Sequence, residues 1–377
     1  MIERHRIVCP VFAMVVAMTG CHAQSSTEVP PSITPGVLSR AATLTTIRAA
    51  HTATLLHSGR VLFTGGCTAQ SCEVSALSAS TEVYDPASGA FTRGPQMSLN
   101  RVGGHAATLL RDGTVLIVGG WSLQPTTSAE LYDPAQNRLT ATRPLGVARA
   151  DASATLLNDG NVLIAGGYNG SERLASAELY DPATRSFAPT GSMSTARAVH
   201  VAVRLMDGRV LIIGGERSRG SVVATAELYD PSTGTFSPAG EMSIVRYKHA
   251  TVTLSDGRVL VIGGSDARDG FGRYDTAEIW DPHTGTFAPS GRMHNRRYKI
   301  PDSVVRLRNG AVLVAGGAPQ AELFDPVAQM FELVPGDLGA SYAFSSATVL
   351  PNGDVLIAGG YDDQIRLTDQ VFIFRSR

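Results

Sequence analysis

The sequence has little charge of either sign, and almost none of its positive charge is lysine. Charged residues make up 17% of the 377 residues, the formal net charge is −1, and Lys248 and Lys299 are the only lysines. A nucleic-acid-binding surface needs a broad basic patch, which this composition does not supply. We therefore expect no nucleic acid among the partners. With 43% hydrophobic residues, the chain can still bury a sizeable core.

Hydrophobic runs long enough to cross a membrane are also missing. The apolar run at residues 7–18 follows Arg4 and Arg6 and is shorter than the roughly twenty residues that span a bilayer. A charged start followed by a short apolar stretch is typical of a secretory signal. We predict a signal peptide at residues 1–20 and a flexible tether, rich in Ser, Thr and Pro, at residues 21–36.

The end of this signal is informative. Met18-Thr19-Gly20-Cys21 resembles the bacterial lipobox, and that resemblance implies lipidation of Cys21. The protein would then be an exported lipoprotein, anchored by its lipid in the bacterial outer membrane or facing the periplasm. Cleavage without lipidation, which gives a secreted protein, is the alternative.

Cysteine is rare, with four residues in all. Cys67 and Cys72 fall in a long loop between Gly66 and Glu82. In an exported chain, a pair at this spacing favours a disulfide. We therefore expect Cys67 and Cys72 to be bonded and to stiffen the loop.

Glycine is abundant, and its placement is periodic. Seven Gly-Gly pairs, beginning at Gly65 and ending at Gly360, recur about every 49 residues. Each follows a hairpin pattern with an Asp-Gly, Asn-Gly or Ser-Gly turn. A third strand with Glu-x-aromatic-Asp-Pro comes next in six repeats, and Pro ends that strand. A fourth strand carries Phe or Leu. Four antiparallel strands repeated seven times indicate an all-β, seven-bladed propeller at residues 37–377.

The two ends of the chain complete one blade. The last repeat stops after its third strand, at residue 377, whereas residues 37–41 stand before the first repeat without a hairpin of their own. We predict that this N-terminal strand becomes the outer strand of the seventh blade. Closure of this kind removes exposed sheet edges.

The Gly-Gly pair, the Glu-x-Tyr-Asp-Pro strand and the following aromatic resemble the kelch repeat. The resemblance implies a propeller that binds partners through its loops. Enzymes also occur in this family. The galactose oxidase copper site needs two tyrosines, two histidines and a cysteine crosslinked to tyrosine, and none of these can be placed here. The catalytic residues of sialic-acid mutarotases cannot be placed either. We expect no catalytic residues, metal or cofactor.

An arginine precedes the inner strand in the same six repeats that carry the third-strand glutamate. The seventh repeat has Tyr342 and Gln370 at these positions. This joint absence predicts a structural ion pair within each blade. A ring of arginines that binds an anion is the alternative. The pairs are Arg48–Glu82, Arg101–Glu130, Arg149–Glu178, Arg197–Glu227, Arg246–Glu278 and Arg297–Glu322.

Histidine recurs just past four of these arginines, at His51, His105, His200 and His249. Other repeats have Ala152, Ile300 or Ser345 there, so the position accepts side chains that bind no metal. We interpret the four histidines as hydrogen-bonded packing residues rather than metal ligands.

A small set of loop residues remains as candidates for ligand binding. Arg-Tyr-Lys occurs twice at the same offset, which suits an anionic sugar but also fits duplication of one blade. Aromatic residues just past the Gly-Gly pairs are common platforms for sugars or protein partners. The candidates are Trp121, Tyr168, Arg246, Tyr247, Lys248, Arg297, Tyr298, Lys299 and Tyr361.

The sequence therefore predicts a binding or interaction module of the cell envelope. Its partner would be an unidentified protein or glycan, bound on the loop face. A mutarotase-like or epimerase-like enzyme acting on an acidic sugar is the alternative, because a propeller fold by itself does not define a function.

Overall fold

The computed structural model describes residues 36–69, 72 and 78–376. These residues form seven four-stranded antiparallel sheets, with one short 3-10 helix at Asp269–Phe271. The predicted signal peptide and the predicted tether, which includes Cys21, lie outside the described residues, except for Gly36 at the end of the tether. Among the residues described, no helix is long and apolar enough to cross a membrane.

The strands follow chain order within blades 1 to 6. Blade 1 contains β2 (Thr52–Leu55), β3 (Val61–Thr64), β4 (Thr81–Asp85) and β5 (Ala90–Arg93). Blade 2 contains β6 (Gly103–Leu109), β7 (Val115–Trp121), β8 (Ala129–Asp133) and β9 (Arg138–Ala141). Blade 3 contains β10 (Ser153–Leu156), β11 (Val162–Ala165), β12 (Ala177–Asp181) and β13 (Ser186–Pro189).

Blades 4 to 6 keep the same order. Blade 4 contains β14 (Val201–Arg204), β15 (Val210–Ile213), β18 (Thr225–Asp230) and β19 (Thr235–Glu241), with a small hairpin of β16 (Glu216–Ser218) and β17 (Ser221–Val222). Blade 5 contains β20 (Ala250–Thr253), β21 (Val259–Ile262), β22 (Tyr274–Asp281) and β23 (Thr286–Arg297). Blade 6 contains β24 (Val304–Arg306), β25 (Val312–Val314), β26 (Glu322–Asp325) and β27 (Met330–Leu333).

Blade 7 is built from both ends of the chain. It contains β28 (Ser346–Val349), β29 (Val355–Ala358), β30 (Gln370–Arg375) and, as its outer strand, β1 (Val37–Thr43). Leu38 pairs with Phe374, and Arg40 pairs with Phe372. The fold prediction is therefore confirmed: a seven-bladed propeller closed by its N-terminal strand.

The core lies between the blades. The second strand of each blade is buried along its length, apart from Trp121 at the end of β7, as expected for the middle of a stack with apolar neighbours on both faces. Each of seven apolar clusters combines residues of two neighbouring blades, including one shared by blades 7 and 1. The first strands line a central channel of about 380 Å³.

Candidate functional site

The arginine and glutamate of each of the first six blades form a buried ion pair. The distance from Nη2 of the arginine to the nearer carboxylate oxygen is 2.7 to 3.2 Å in the six pairs. In blade 4, Arg197 also donates to the Gly214 and Thr225 carbonyls. Glu227 accepts from the backbone N–H of Ser194 and Thr195. Every charge in the pair is therefore matched by hydrogen bonds, as a buried charge requires.

This burial decides between the two interpretations of the arginines. Arg246 and Arg297 are fully buried and bond to Glu278 and Glu322. Burial alone would raise the pKa of Glu322, but the Arg297 charge and hydrogen bonds hold it below its usual range. The structure does not bring Arg246 or Arg297 to the ligand-accessible surface, so neither belongs with the binding candidates.

The same arginines join neighbouring blades through the Gly-Gly pairs. The Gly215 N–H of blade 4 donates to the Arg246 carbonyl of blade 5 at 2.8 Å. Gly214 has a φ of 62°, and a Cβ there would collide with the Arg246 carbonyl oxygen and the His249 ring. Only glycine fits a left-handed position with this close approach. The same N–H to carbonyl bond recurs at all seven blade interfaces.

The inner-strand histidines pack against the preceding blade. His51 Nε2 lies 2.9 Å from Ser346 Oγ, and His200 Nε2 lies 3.0 Å from Ser153 Oγ. His105 Nε2 bonds to the Thr64 carbonyl at 3.1 Å. Burial is the main cause that lowers the pKa of all four histidines, to about 3 for His105, His200 and His249. They are neutral packing residues at physiological pH.

Seven residues with positive φ encircle one end of the channel, which we call the channel mouth. Each stands at or shortly before the start of an inner strand. Five backbone N–H groups of this ring donate to the carbonyl of the ring residue before them, at 2.8 to 3.1 Å. These backbone hydrogen bonds fix the ring, and with it the directions of its side chains, before any ligand binds. Its members are Ala50, Gly104, Asp151, Val199, Lys248, Lys299 and Phe344.

On blades 2 to 4, the mouth carries an aromatic row, defined as Trp121, Tyr168 and Arg173. The Trp121 indole N–H donates to Asp151 at 2.9 Å, and the Trp121 and Tyr168 ring centroids lie 5.5 Å apart. The Arg173 guanidinium lies 4.6 Å from the Tyr168 ring and forms an ion pair with Glu216. All three row residues are partly exposed, so two rings tilted by 33° and one guanidinium face solvent together.

On blades 5 to 7, the mouth carries a lysine cluster around one carboxylate. Asp269 Oδ1 accepts from Lys248 Nζ at 2.7 Å and from the Tyr247 hydroxyl at 2.9 Å. Asp269 Oδ2 lies 3.7 Å from Lys299 Nζ. Burial lowers the pKa of Lys248, and the lysine charges lower that of Asp269 against its own burial. The repeated Tyr-Lys sequence is thus brought to one place.

Lys299 is also surrounded by rings. Its Nζ lies 4.8 Å from the Tyr298 centroid, 5.5 Å from Tyr361 and 5.8 Å from Phe344. The Arg273 guanidinium carbon lies 4.7 Å from the centroid of the Tyr298 ring. The predicted candidates Tyr298, Lys299 and Tyr361 therefore meet at the mouth.

Several residues of the site were not predicted from the sequence. Arg173, Asp269 and Arg273 lie in loops outside the repeated motifs, whereas Asp151 occupies the same repeat position as Lys248 and Lys299. Asp302 is exposed toward the channel, and the surrounding protein raises its pKa to about 6 by limiting its solvation. The sequence signal at these sites was a departure from the repeat, namely an acidic or basic residue in an otherwise variable loop.

Two further predictions concern the cysteine pair and metal binding. Cys67 and Cys72 are joined by a disulfide, in a loop of which only part is described. Within residues 36–69, 72 and 78–376, no three His, Cys, Asp or Glu side chains cluster closely enough to hold a metal. The four inner-strand histidines each lie at a different blade interface, so they do not fit a shared copper centre.

Comparison with known proteins identifies the class to which this geometry belongs. The Kelch motif family matches residues 150–194 and 197–243, which cover the strands of blades 3 and 4. The match and the seven blades agree with the repeat pattern along the chain. The protein is a kelch-repeat β-propeller.

Solved structures show the same architecture. A fungal alcohol oxidase of the AA5 family, determined in complex with copper, aligns over 91% of this chain and 77% of its own with a TM-score of 0.74. Only 16% of aligned residues are identical, so the likeness concerns the fold alone. A comparison with curated proteins gave no significant match in sequence.

Proposed function

We propose that this kelch propeller is a binding module that recognises a carbohydrate ligand at its channel mouth. The observation that carries the proposal is the aromatic row, whose two rings and one guanidinium are held in place beside an open channel. Sugar rings stack on exposed aromatic faces, and their hydroxyls bond to charged groups at the edge. The kelch propeller fold fits a binding or interaction role.

The row is suited to binding because its side chains are ordered before a ligand arrives. Asp151 fixes the Trp121 ring, while Glu216 holds Arg173 over Tyr168. A ligand therefore meets a surface whose rotamers cost little further entropy to order. Polar atoms of Asp151 and Arg173 lie at the edges of the rings, where sugar hydroxyls would sit.

A glycan-binding assay on the full protein tests the proposal. We expect Trp121→Ala and Tyr168→Ala each to weaken binding of a neutral or acidic oligosaccharide about tenfold, equal to about 1.4 kcal/mol. Phe271→Ala is the matched control, because Phe271 is 92% exposed and lies outside the row. Retention of full affinity in both row variants would refute a glycan role and leave a protein partner as the ligand.

A second candidate, a mutarotase-like activity on an acidic sugar, is favoured by Asp302. Exchange of sugar anomers needs a group that gives and takes protons, and such a group works best with a pKa near the ambient pH. The pKa of Asp302, raised to about 6 by burial, meets that requirement within the channel. Anomer exchange of glucuronate, followed by NMR, should be accelerated by the protein but not by Asp302→Asn. No acceleration by the native protein would remove this candidate.

We further propose that the module is exported and tethered to the bacterial envelope through lipid on Cys21, with secretion as the alternative. The support is the lipobox-like sequence before Cys21. Metabolic labelling with a fatty-acid analogue should mark the native protein and not Cys21→Ser. Label in neither, with processed protein in the medium, would favour the secreted form.

A further inference from the structure

Besides the channel, the mouth face contains a smaller cavity of about 130 Å³ above blade 6. The connection after the Gly-Gly pair of blade 6 is short, residues 318–321, whereas the loops of blades 5 and 7 are long. Those two loops reach over blade 6 and meet where Arg273 Nη2 contacts Asp363 Oδ1 at 3.0 Å. We call this cavity the blade-6 cleft. Its lining includes Arg273, Tyr298, Lys299, Tyr361, Asp362 and Asp363.

The cleft is lined by two cations, Arg273 and Lys299, and by two carboxylates, Asp362 and Asp363; Lys299 is the lining cation with the longer ion pair. Lys248 and Lys299 share the single carboxylate of Asp269, and Lys248 holds it at 2.7 Å, against 3.7 Å for Lys299. The Lys248 and Tyr247 contacts already engage Asp269 Oδ1. Lys299 therefore has a looser ion pair with Asp269 than Lys248 has, its Nζ also interacts with the Tyr361 hydroxyl, and the two lysines together exceed Asp269 by one charge.

The ammonium of Lys299 is held in position rather than free in solvent. The side chain is only 15% exposed, and three rings surround its Nζ. An ammonium whose position is fixed by ring faces binds an anion with a smaller loss of side-chain entropy than a surface lysine does. The Tyr361 and Tyr298 rings also exclude water from one side, which strengthens its electrostatic attraction for an anion.

Arg273 supplies a second cation in the lining of the cleft. Its guanidinium stacks over Tyr298 at 4.7 Å, and Asp363, its carboxylate partner, is 60% exposed. An exposed ion pair is worth little, so a ligand carboxylate can take the place of Asp363 on Arg273. Guanidinium groups bind carboxylates through paired hydrogen bonds. The cavity has room for a carboxylate and a few attached atoms.

From this geometry we propose that the blade-6 cleft binds a carboxylate group of the ligand, between Lys299 Nζ and the Arg273 guanidinium. The inference deepens the proposed function, on which it rests for the rest of the ligand: the carbohydrate would be acidic, with its ring directed toward the channel mouth. A small N-acylated amino acid carries the same group, so the test includes both sources of carboxylate.

Calorimetric titrations of the full protein with glucuronate, glucose and N-acetylglycine test the cleft. We expect Lys299→Met to weaken glucuronate binding about tenfold or more, the loss of one hydrogen bond to a charged group, and to leave glucose binding unchanged. Arg273→Gln should also weaken glucuronate binding. Arg268→Gln is the matched control, because it removes an exposed cation from the same loop that contacts only Asp266 and does not line the cleft.

A gain of affinity separates the cleft from simple loss of structure. Asp269→Asn removes the carboxylate that competes for Lys299, so glucuronate should bind more tightly than to the native protein. Glucuronate affinity that is unchanged in both Lys299→Met and Asp269→Asn would overturn the inference, as would failure of the native protein to bind either carboxylate.

The assay also distinguishes the two proposals from each other. Binding of N-acetylglycine that requires Lys299, with no binding of either sugar, would support the cleft and refute the carbohydrate function. Sugar binding that requires Trp121 but is indifferent to Lys299→Met would support the function and refute the cleft.

Discussion

Arg197 and Glu227 show how a charged pair is kept inside the wall of a propeller blade. Both side chains are almost completely buried. The guanidinium joins the Gly214 carbonyl, the Thr225 carbonyl and the carboxylate in one network. Such a network specifies the path of the chain into the inner strand, because no other conformation satisfies both charges.

Removal of one partner should therefore be costly. We expect Arg197→Met to lower the free energy of unfolding by about 3–5 kcal/mol, because Glu227 is left buried and unpaired. Urea unfolding followed by circular dichroism measures the change. Arg209→Gln is the control, since its pair with Asp207 is exposed and should change stability by less than about 1 kcal/mol. Equal stability of the two variants would show that the buried pair is not structural.

The histidine of blade 5 differs from its equivalents. His200 bonds to Ser153 of the preceding blade, whereas His249 faces β14, which begins with Val201 instead of a hydroxyl residue. Both ring nitrogens of His249 are buried without a hydrogen-bond partner. A buried polar group of this kind costs free energy until a partner is supplied.

Reciprocal substitutions test this account. Val201→Ser should supply the missing hydroxyl and offset its lost packing, so that stability is unchanged or higher. Ser153→Val should leave His200 unpartnered and lower the free energy of unfolding by about 1–3 kcal/mol. Thermal unfolding of the two variants measures the sign of both stability changes. Destabilisation by Val201→Ser of the same size as by Ser153→Val would contradict the hydroxyl explanation.

At the scale of elements, β1 closes the ring by covering the edge of β30. Deletion of Val37–Thr43 should expose that edge and the buried side chain of Phe374, which pairs with Leu38 in the intact chain, and abolish cooperative thermal unfolding. A synthetic peptide of residues 36–44 added in trans should restore it by strand addition, and a scrambled peptide should not. Unchanged melting of the deleted chain would show that the ring closes without β1.

The strands were predictable because their signals are local and repeated. Asp-Gly turns, Gly-Gly pairs and Asp-Pro ends each set backbone angles within a few residues, so the seven blades and their closure followed from spacing. The pairing of arginine with glutamate was also inferable, since the two residues are absent together from the seventh repeat.

The mouth was only partly predictable, because its loops follow no repeat. Arg273 and Asp363 stand 90 residues apart in sequence, and Asp269 meets two lysines on different blades. Nothing local in the sequence announces these contacts, which depend on the length and path of each loop. Tyr298, Lys299 and Tyr361 could be named as candidates from the sequence. Asp269, the carboxylate that contacts Lys299, could not.

At the scale of the whole molecule, stability depends on interfaces between blades. Each apolar cluster is shared by two blades, and each interface contains the same Gly N–H to carbonyl bond. Four of the interfaces also bury a histidine. Because no blade can bury its faces alone, a change that acts on several interfaces at once should alter global unfolding.

Acidification is such a change. The pKa of His105, His200 and His249 is lowered to about 3, mainly by burial, and that of His51 is also well below its usual range. The unfolded chain takes up protons at these residues near pH 6.5, while the folded state does not. Stability from the neutral histidines is therefore complete above about pH 6.5 and is lost as the pH falls toward 3.

Asp302 opposes this trend, because its pKa is raised to about 6 and the folded state binds its proton first. Burial also raises the pKa of Asp151, but two carboxyls do not cancel four imidazoles. The free energy of unfolding should therefore fall between pH 7 and pH 5, by about 2 kcal/mol for each histidine. His249→Ile should reduce the slope by about a quarter, since Ile300 fills the same position in blade 6. His283→Ala, in an exposed turn, is the control. A slope equal in all three proteins would place the acid sensitivity outside the blade interfaces.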